Sequence, residues 1–292
     1  MPNTVTSMVI VSAIADVRDA VATARAAGAR IGFVPTMGAL HKGHMSLVTR
    51  AQREADVTVM SIFVNPLQFA PHEDLSRYPR PYEEDEGLAR EGGVDILFRP
   101  ETEEMYPGDR VITVSAGELG AEWEGRSRPG HFDGVLTVVA KLFNIVQADF
   151  AVFGRKDLQQ AALVRALVRD LDIPTKIVLS PIVREEDGLA LSSRNRFLVP
   201  DDRARATLLN RSLIAVRESF AQGVRDTDAL EAAGLDVLRS DPGVAPDYLA
   251  VIDPGTFTRA AEATEGFSVI VAARIGSTRL IDNMPLAGDD QD

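Results

Sequence analysis

Over the first 180 residues, apolar positions alternate between two periods. Short runs rich in Val, Ile and Phe, apolar at successive positions, predict strands at 30–34, 57–64, 94–98, 150–153 and 175–179. Between them the apolar residues recur at three- and four-residue spacing, which predicts helices over 43–55, 83–91, 135–146 and 158–171. An alanine-rich amphipathic helix at 12–27 precedes the first strand, with Gly28 placed to end it. Strands buried on both faces and alternating with helices predict a doubly wound α/β domain with a parallel sheet. Beyond Pro181 the texture changes. Two helices, 202–222 and 227–240, precede strands at 247–252 and 267–273, the pattern of a smaller α+β domain. The expected division is 1–182 and 183–286, followed by a frayed tail at 287–292.

Composition narrows the classes. At 292 residues and 45% hydrophobic the chain can bury a large core, and the length suggests two domains. No window approaches the roughly 20 apolar residues of a membrane span, and the polar start, Met1 to Ser7, lacks a secretory pattern. The absence of cysteine excludes disulfides, thiolate metal sites and a cysteine nucleophile, and points to the cytoplasm. A net charge of −12 disfavours nucleic acid as a partner, although a few converging cations can still bind a small anion.

The candidate chemistry lies where predicted strands end. After 31–34 comes Pro-Thr-Met-Gly-Ala-Leu-His-Lys-Gly-His (35–44), expected to break the strand at Pro35 and to open a helix near Gly43. It holds two of the four histidines, His41 and His44, three apart at a helix N-terminus where unpaired N–H groups suit a phosphate. After the second strand, Asn65 and Gln68 supply neutral amides able to read hydroxyl and carboxylate groups. A loop before the 135–146 helix carries Arg126, Arg128 and His131, fit to bind an anion or to move as a flap. After the strand at 150–153 comes Gly154-Arg-Lys-Asp-Leu-Gln-Gln160, in which Lys156 suits triphosphate oxygens, Gln160 lies one turn on, and Asp157 can cap the helix. At the domain boundary Ser192, Ser193 and Arg194 form a hydroxyl-rich cationic turn. Each cluster alone reads equally as an ordinary turn or cap; their conjunction at strand ends indicates nucleotide chemistry. No Ser-His-Asp order or HExxH spacing competes.

Taken together, PTMGALHKGH (35–44), FVNPLQF (63–69), YPRPYEED (78–85), RPGHFDGV (128–135), FGRKDLQQ (153–160) and DGLALSSRN (187–195) resemble the pantoate–β-alanine ligases of the HxGH nucleotidyltransferase superfamily. The resemblance covers the N-terminal domain and the boundary, and no motif of the C-terminal domain contributes. It implies a Rossmann-like catalytic domain with a C-terminal lid. It also implies a reaction in which pantoate and ATP with Mg2+ form pantoyl-adenylate and pyrophosphate, before β-alanine displaces AMP. By the same resemblance, His41 and His44 contact the ATP phosphates, His44 stabilising the transition state, and Met37 lies near the α-phosphate. Lys156, Ser192, Ser193 and Arg194 hold phosphate oxygens, while Gly154 and Asp157 border the nucleoside. Gln68, Gln160 and Asn65 form the pantoate pocket, with Arg128 and His131 near its entrance; Asp85 contacts magnesium, and the protein is a homodimer. Two alternatives stay open: an adenylyltransferase acting on a phosphorylated small molecule, and a non-catalytic nucleotide-binding protein.

Overall fold

A computed structural model describes residues 8–70, 73 and 75–288; four of the six tail positions, 289–292, lie outside them. The chain divides into two compact units, Met1–Phe153 with Leu163–Ser180, and Gly154–Ala162 with Pro181–Asp292.

In chain order the first unit runs β1 (Val9–Val11), α1 (Ile14–Ala26), β2 (Ile31–Thr36), α2 (Lys42–Gln52), β3 (Val57–Ile62), α3 (Tyr82–Glu91), β4 (Ile96–Phe98), α4 (Thr102–Met105), α5 (Glu124–Ser127), α6 (His131–Val146), β5 (Phe150–Gly154), α7 (Leu158–Asp170) and β6 (Lys176–Ser180), the last residue of β5 and the first turn of α7 grouping with the second unit. The strands form one six-stranded sheet in the order β1-β4-β3-β2-β5-β6, with parallel pairing at β1–β4, β4–β3, β3–β2 and β2–β5. The doubly wound, Rossmann-like sheet expected from the strand pattern is the one observed. From β2 the chain builds outward through β3, β4 and β1's neighbour position, then returns to add β5 and β6 on the other side. The switch point therefore falls between β2 and β5, where such sheets bind ligands beyond the carboxyl ends of the strands. On one face Val48 and Ala51 of α2 and Ala89 of α3 pack with Val34, Met60, Ile62, Leu97 and Phe150 of the sheet; α1 packs against α6 elsewhere in the unit.

Two details depart from the sequence expectations. The strand does not break at Pro35: β2 continues to Thr36, with Pro35 opposite Ser61 of β3. Pairing of β2 with β5 stops at Phe33, so the missing proline N–H falls where that side of the strand has no ladder. The strand β1 was not expected, being only three residues long and half exposed at Val9 and Ile10.

The second unit contains α8 (Pro200–Ala221), α9 (Thr227–Arg239) and an antiparallel sheet of β7 (Val244–Ile252), β8 (Ser268–Ile275) and β9 (Thr278–Pro285) in the order β7-β8-β9. Both helices pack on the sheet, and Leu209, Leu213, Val216, Leu230 and Leu238 meet Val251, Val269 and Val271 in a separate core. The segment Gly154–Ala162 groups with this unit, and the Asn283 side chain of β9 holds its first turn. Among the described residues no helix is long and apolar enough to cross a membrane.

Candidate active site

The turn after β2 is built on two consecutive residues in the left-handed region, Gly38 (φ 83°) and Ala39 (φ 50°). A side chain at Gly38 would bring its Cβ to 2.8 Å from Asp85 Oδ2 and 3.0 Å from Ile62, so glycine is required there for space as well as for φ. Such a turn aims successive N–H groups into one concavity, and the concavity is filled from within. Ala39 N donates to Asp85 Oδ2 at 2.8 Å and Leu40 N to Oδ1 at 2.7 Å. Asp85 lies in the first turn of α3 and is 1% exposed. The carboxylate is enclosed and bonded to backbone, so it holds the histidine loop. Among the described residues no group of three His, Asp or Glu is arranged to bind a metal ion.

Past this turn α2 begins with His41 as its cap: Gly43 N donates to His41 Nδ1 at 3.1 Å. That bond leaves Nδ1 with a lone pair, so the neutral ring carries its proton on Nε2. The His44 ring lies 4.1 Å from that of His41, centroid to centroid, at 42°. Both half-buried imidazoles thus stand together at the N-terminus of α2, an arrangement able to donate to a phosphoryl group.

After β3, Asn65 caps a short 3-10 turn at Pro66–Gln68 and is 1% exposed. Its Nδ2 donates to Gln68 Oε1 and to Gly134 O, both at 3.1 Å, and its Oδ1 accepts from Tyr106 Oη at 2.9 Å and from Leu67 N at 3.3 Å. Burial pushes the Tyr106 phenol above its ordinary range, which keeps it a donor. Asn65 is therefore fully engaged with the protein and positions Gln68. Gly134 permits this packing, because a Cβ there would approach Leu67 O to 2.2 Å. Gln68 Nε2 donates to Met37 Sδ at 3.0 Å. Thioether sulfur is a weak acceptor, so this bond holds the amide only loosely.

Arg128 and His131 also turn inward. Arg128 donates to Glu73 Oε1 at 2.7 Å and Oε2 at 2.9 Å, and to Gln68 O at 3.2 Å. His131 Nδ1 lies 2.9 Å from the same carbonyl and Nε2 lies 3.0 Å from Arg128 Nη1. A carbonyl only accepts and a guanidinium only donates, so His131 is neutral with its proton on Nδ1. Burial, reinforced by the Arg128 charge, lowers its pKa to about 4. Burial opposes ionisation of Glu73, yet the Arg128 hydrogen bonds hold it below the ordinary carboxylate range. The pair clamps the backbone of Gln68, and each of its side-chain nitrogens has a protein partner. Glu73 and Tyr106 were not expected. Their partners lie 55 and 41 residues away in the chain, beyond the reach of local pattern.

In the second unit Lys156 and Asp157 lie in a 3-10 turn, Arg155–Asp157, entered through Gly154; Lys156 is half-buried, with Nζ 3.9 Å from Asp157 Oδ1. Asp157 is exposed, and the half-buried Gln160 follows in the first turn of α7. Ser192 caps the 3-10 segment Ser193–Phe197, its Oγ accepting from Arg194 N at 3.2 Å. Upstream, Arg184 pairs with Ala190 across an isolated bridge, and Asn195 Nδ2 donates to Ala190 O at 3.0 Å. Arg203 joins Glu185 at 2.9 Å and Asp187 at 2.7 Å. The Ser-Ser-Arg turn is braced on both flanks.

Comparison with known proteins places this geometry. The profile of the pantoate-beta-alanine ligase family matches residues 9–285. The chain is 51% identical to a pantothenate synthetase of Agrobacterium fabrum, covering 94% of this chain and 95% of that one. It is 50% identical to a pantothenate synthetase of Brucella anthropi, covering 96% and 97%. A crystal structure of pantothenate synthetase from Thermus thermophilus superposes with a TM-score of 0.92 at 49% identity, over 96% of this chain and 100% of that one. One of a pantoate-beta-alanine ligase from Francisella tularensis, complexed with beta-gamma ATP and beta-alanine, superposes with a TM-score of 0.79 at 33% identity, over 98% and 100%. The chain belongs to the pantoate–β-alanine ligase family.

Proposed function

We propose that this ligase activates pantoate as an acyl adenylate and that the paired imidazoles of His41 and His44 are the centre of that step. A carboxylate resists amine attack because its charge is delocalised. In the first step a pantoate carboxylate oxygen attacks the α-phosphorus of ATP and pyrophosphate leaves. In the second the β-alanine amine attacks the acyl carbon and AMP leaves with the oxygen. No covalent bond to the protein is required, so the work is positioning and charge stabilisation. The observation that carries this reading is the capping bond from Gly43 N to His41 Nδ1, which makes Nε2 the proton-bearing nitrogen at a helix N-terminus.

His44 then stabilises charge on the α-phosphoryl group, with Met37 at the head of the same loop. Lys156, Ser192, Ser193 and Arg194 take the triphosphate oxygens, and Gly154 and Asp157 border the nucleoside. Gln68 and Gln160 read the hydroxyl and carboxylate groups of pantoate. Magnesium accompanies the triphosphate on this reading, keeping waters and phosphate oxygens as ligands, since Asp85 is enclosed. Movement of the C-terminal unit on ATP binding would shelter the adenylate from water. A homodimer would cover Val111 and Ile112, which stand 89% and 77% exposed, and a chain without cysteine suits the cytoplasm.

Pyrophosphate release from ATP, magnesium and pantoate tests the reading. Without β-alanine, release should stop near one equivalent per site; with it, release continues and AMP accumulates. His44→Ala and Lys156→Ala should each slow adenylate formation about 10²–10³-fold. A loss under about threefold at either residue removes it from the assigned role.

A further inference from the structure

The motif of Lys156 and the Ser-Ser-Arg turn are far apart in sequence, yet both are tied to two adjacent residues of β9, Asp282 and Asn283. Asn283 is 2% exposed, and its Nδ2 donates to Arg155 O and to Lys156 O, each at 2.9 Å. Both partners are carbonyls, so the amide orientation is settled: nitrogen faces the turn. Among the described residues its Oδ1, also buried, accepts no hydrogen bond. Both amide hydrogens are thus committed to the turn. Asp282 is 4% exposed and receives Arg184 Nη1 at 2.6 Å and Nη2 at 3.0 Å. Arg184 also donates to Gly188 O at 3.1 Å, inside the hairpin that leads to Ser192. Its Nη2 reaches Asn283 O at 3.2 Å, and Asn283 N donates to Asp282 Oδ1 at 2.8 Å. Successive side chains on a strand point to opposite faces, so one dipeptide can brace two separate segments.

We propose that Asp282 and Asn283 are positioning residues for ATP: Asn283 sets the backbone of the turn that carries Lys156, and Asp282, through Arg184, sets the hairpin that carries Ser192, Ser193 and Arg194. The inference rests on the reading that those residues hold the triphosphate. It gives the C-terminal unit a part in the first half-reaction that none of its own motifs announces. A residue that merely stabilises the fold lowers the amount of active protein and leaves the KM values alone. A positioning residue raises the KM for ATP and couples to the residue it positions.

The test is a double-substitution cycle on the full chain, read as single-turnover adenylate formation together with KM values for ATP and β-alanine. Asn283→Ala should raise the KM for ATP about tenfold and slow adenylation by a similar factor, with the KM for β-alanine within about twofold of its starting value. In a Lys156→Ala background the same change should alter adenylation less than about twofold. Asp282→Asn should raise the KM for ATP in the same sense. Full multiplication of the Asn283 and Lys156 effects, or an unchanged KM for ATP in folded Asn283→Ala, overturns the inference while the role of Lys156 stands. A Lys156→Ala effect below about threefold overturns that role and the inference with it. If Asn283→Ala does not fold, Asn283→Ser, which keeps one donor, enters the same cycle with the same criteria.

Discussion

The loops of the first unit and those of the second solve one problem by opposite means. In the first, loops 37–44 and 65–68 are held by side chains from other elements of the same sheet domain: the Asp85 carboxylate fills the turn of Gly38 and Ala39, and Arg128 with His131 grips the Gln68 carbonyl. In the second, the turn at 155–157 and the hairpin before Ser192 are held from a single strand by a neutral amide and a buried ion pair. Polar residues near a site therefore fall into those offered to a ligand and those spent holding the offering loop. In the first unit Asp85, Asn65, Arg128 and His131 all hold such loops through protein partners.

The difference can be broken experimentally, beginning where the expected effect is largest. Asp85→Ala strands two buried N–H groups, at about 1–3 kcal/mol each, so it should destabilise the protein by about 2–6 kcal/mol. It should also lower adenylate formation by disordering the histidine loop. A shifted urea midpoint at constant m-value measures the first effect; an unchanged midpoint would return Asp85 to the ligand-facing group.

The next effect depends on pH. His131 is neutral in the fold with a pKa of about 4 against an ordinary 6.5, so below pH 6.5 the unfolded chain binds a proton that the folded chain does not. Its contribution is whole above pH 6.5 and is lost as pH falls, reaching a difference of about 3 kcal/mol near pH 4. His131→Gln should flatten the stability profile across that window, relative to the unsubstituted chain. Equal slopes in both proteins would mean that His131 takes up its proton in the fold.

The smallest effect separates two neighbours. Gln68→Ala should raise the KM for pantoate about 10- to 100-fold. Asn65→Ala should instead destabilise by about 1–3 kcal/mol, because Tyr106 Oη and Gly134 O lose their partner. An equal rise in the KM for pantoate from the two changes would erase the distinction between the residue that reads the substrate and the one that aims it.

The parallel sheet was legible because its strands are short, apolar on both faces and separated by helices of clear period. Its site loops were legible because they follow those strands. Strand β9 was not, since Asp282 and Asn283 interrupt its apolar pattern and are buried only by pairing with partners elsewhere. The facing of a polar side chain was equally hidden. Arg128 and His131 carry the donors an anion would want, and a backbone carbonyl wants the same donors. Only the placement of Glu73 and of Gln68 O decides between the two.

The internal carboxylate at the Gly38–Ala39 turn also limits the portability of the histidine motif. Residues 35–44 transplanted onto another nucleotide-binding sheet would arrive without the anion that shapes them, and two adjacent left-handed residues would then relax toward commoner backbone conformations. A working graft has to include the first turn of α3, 41 residues beyond His44, so the smallest inheritable piece of this site is the β2-α2-β3-α3 unit taken whole.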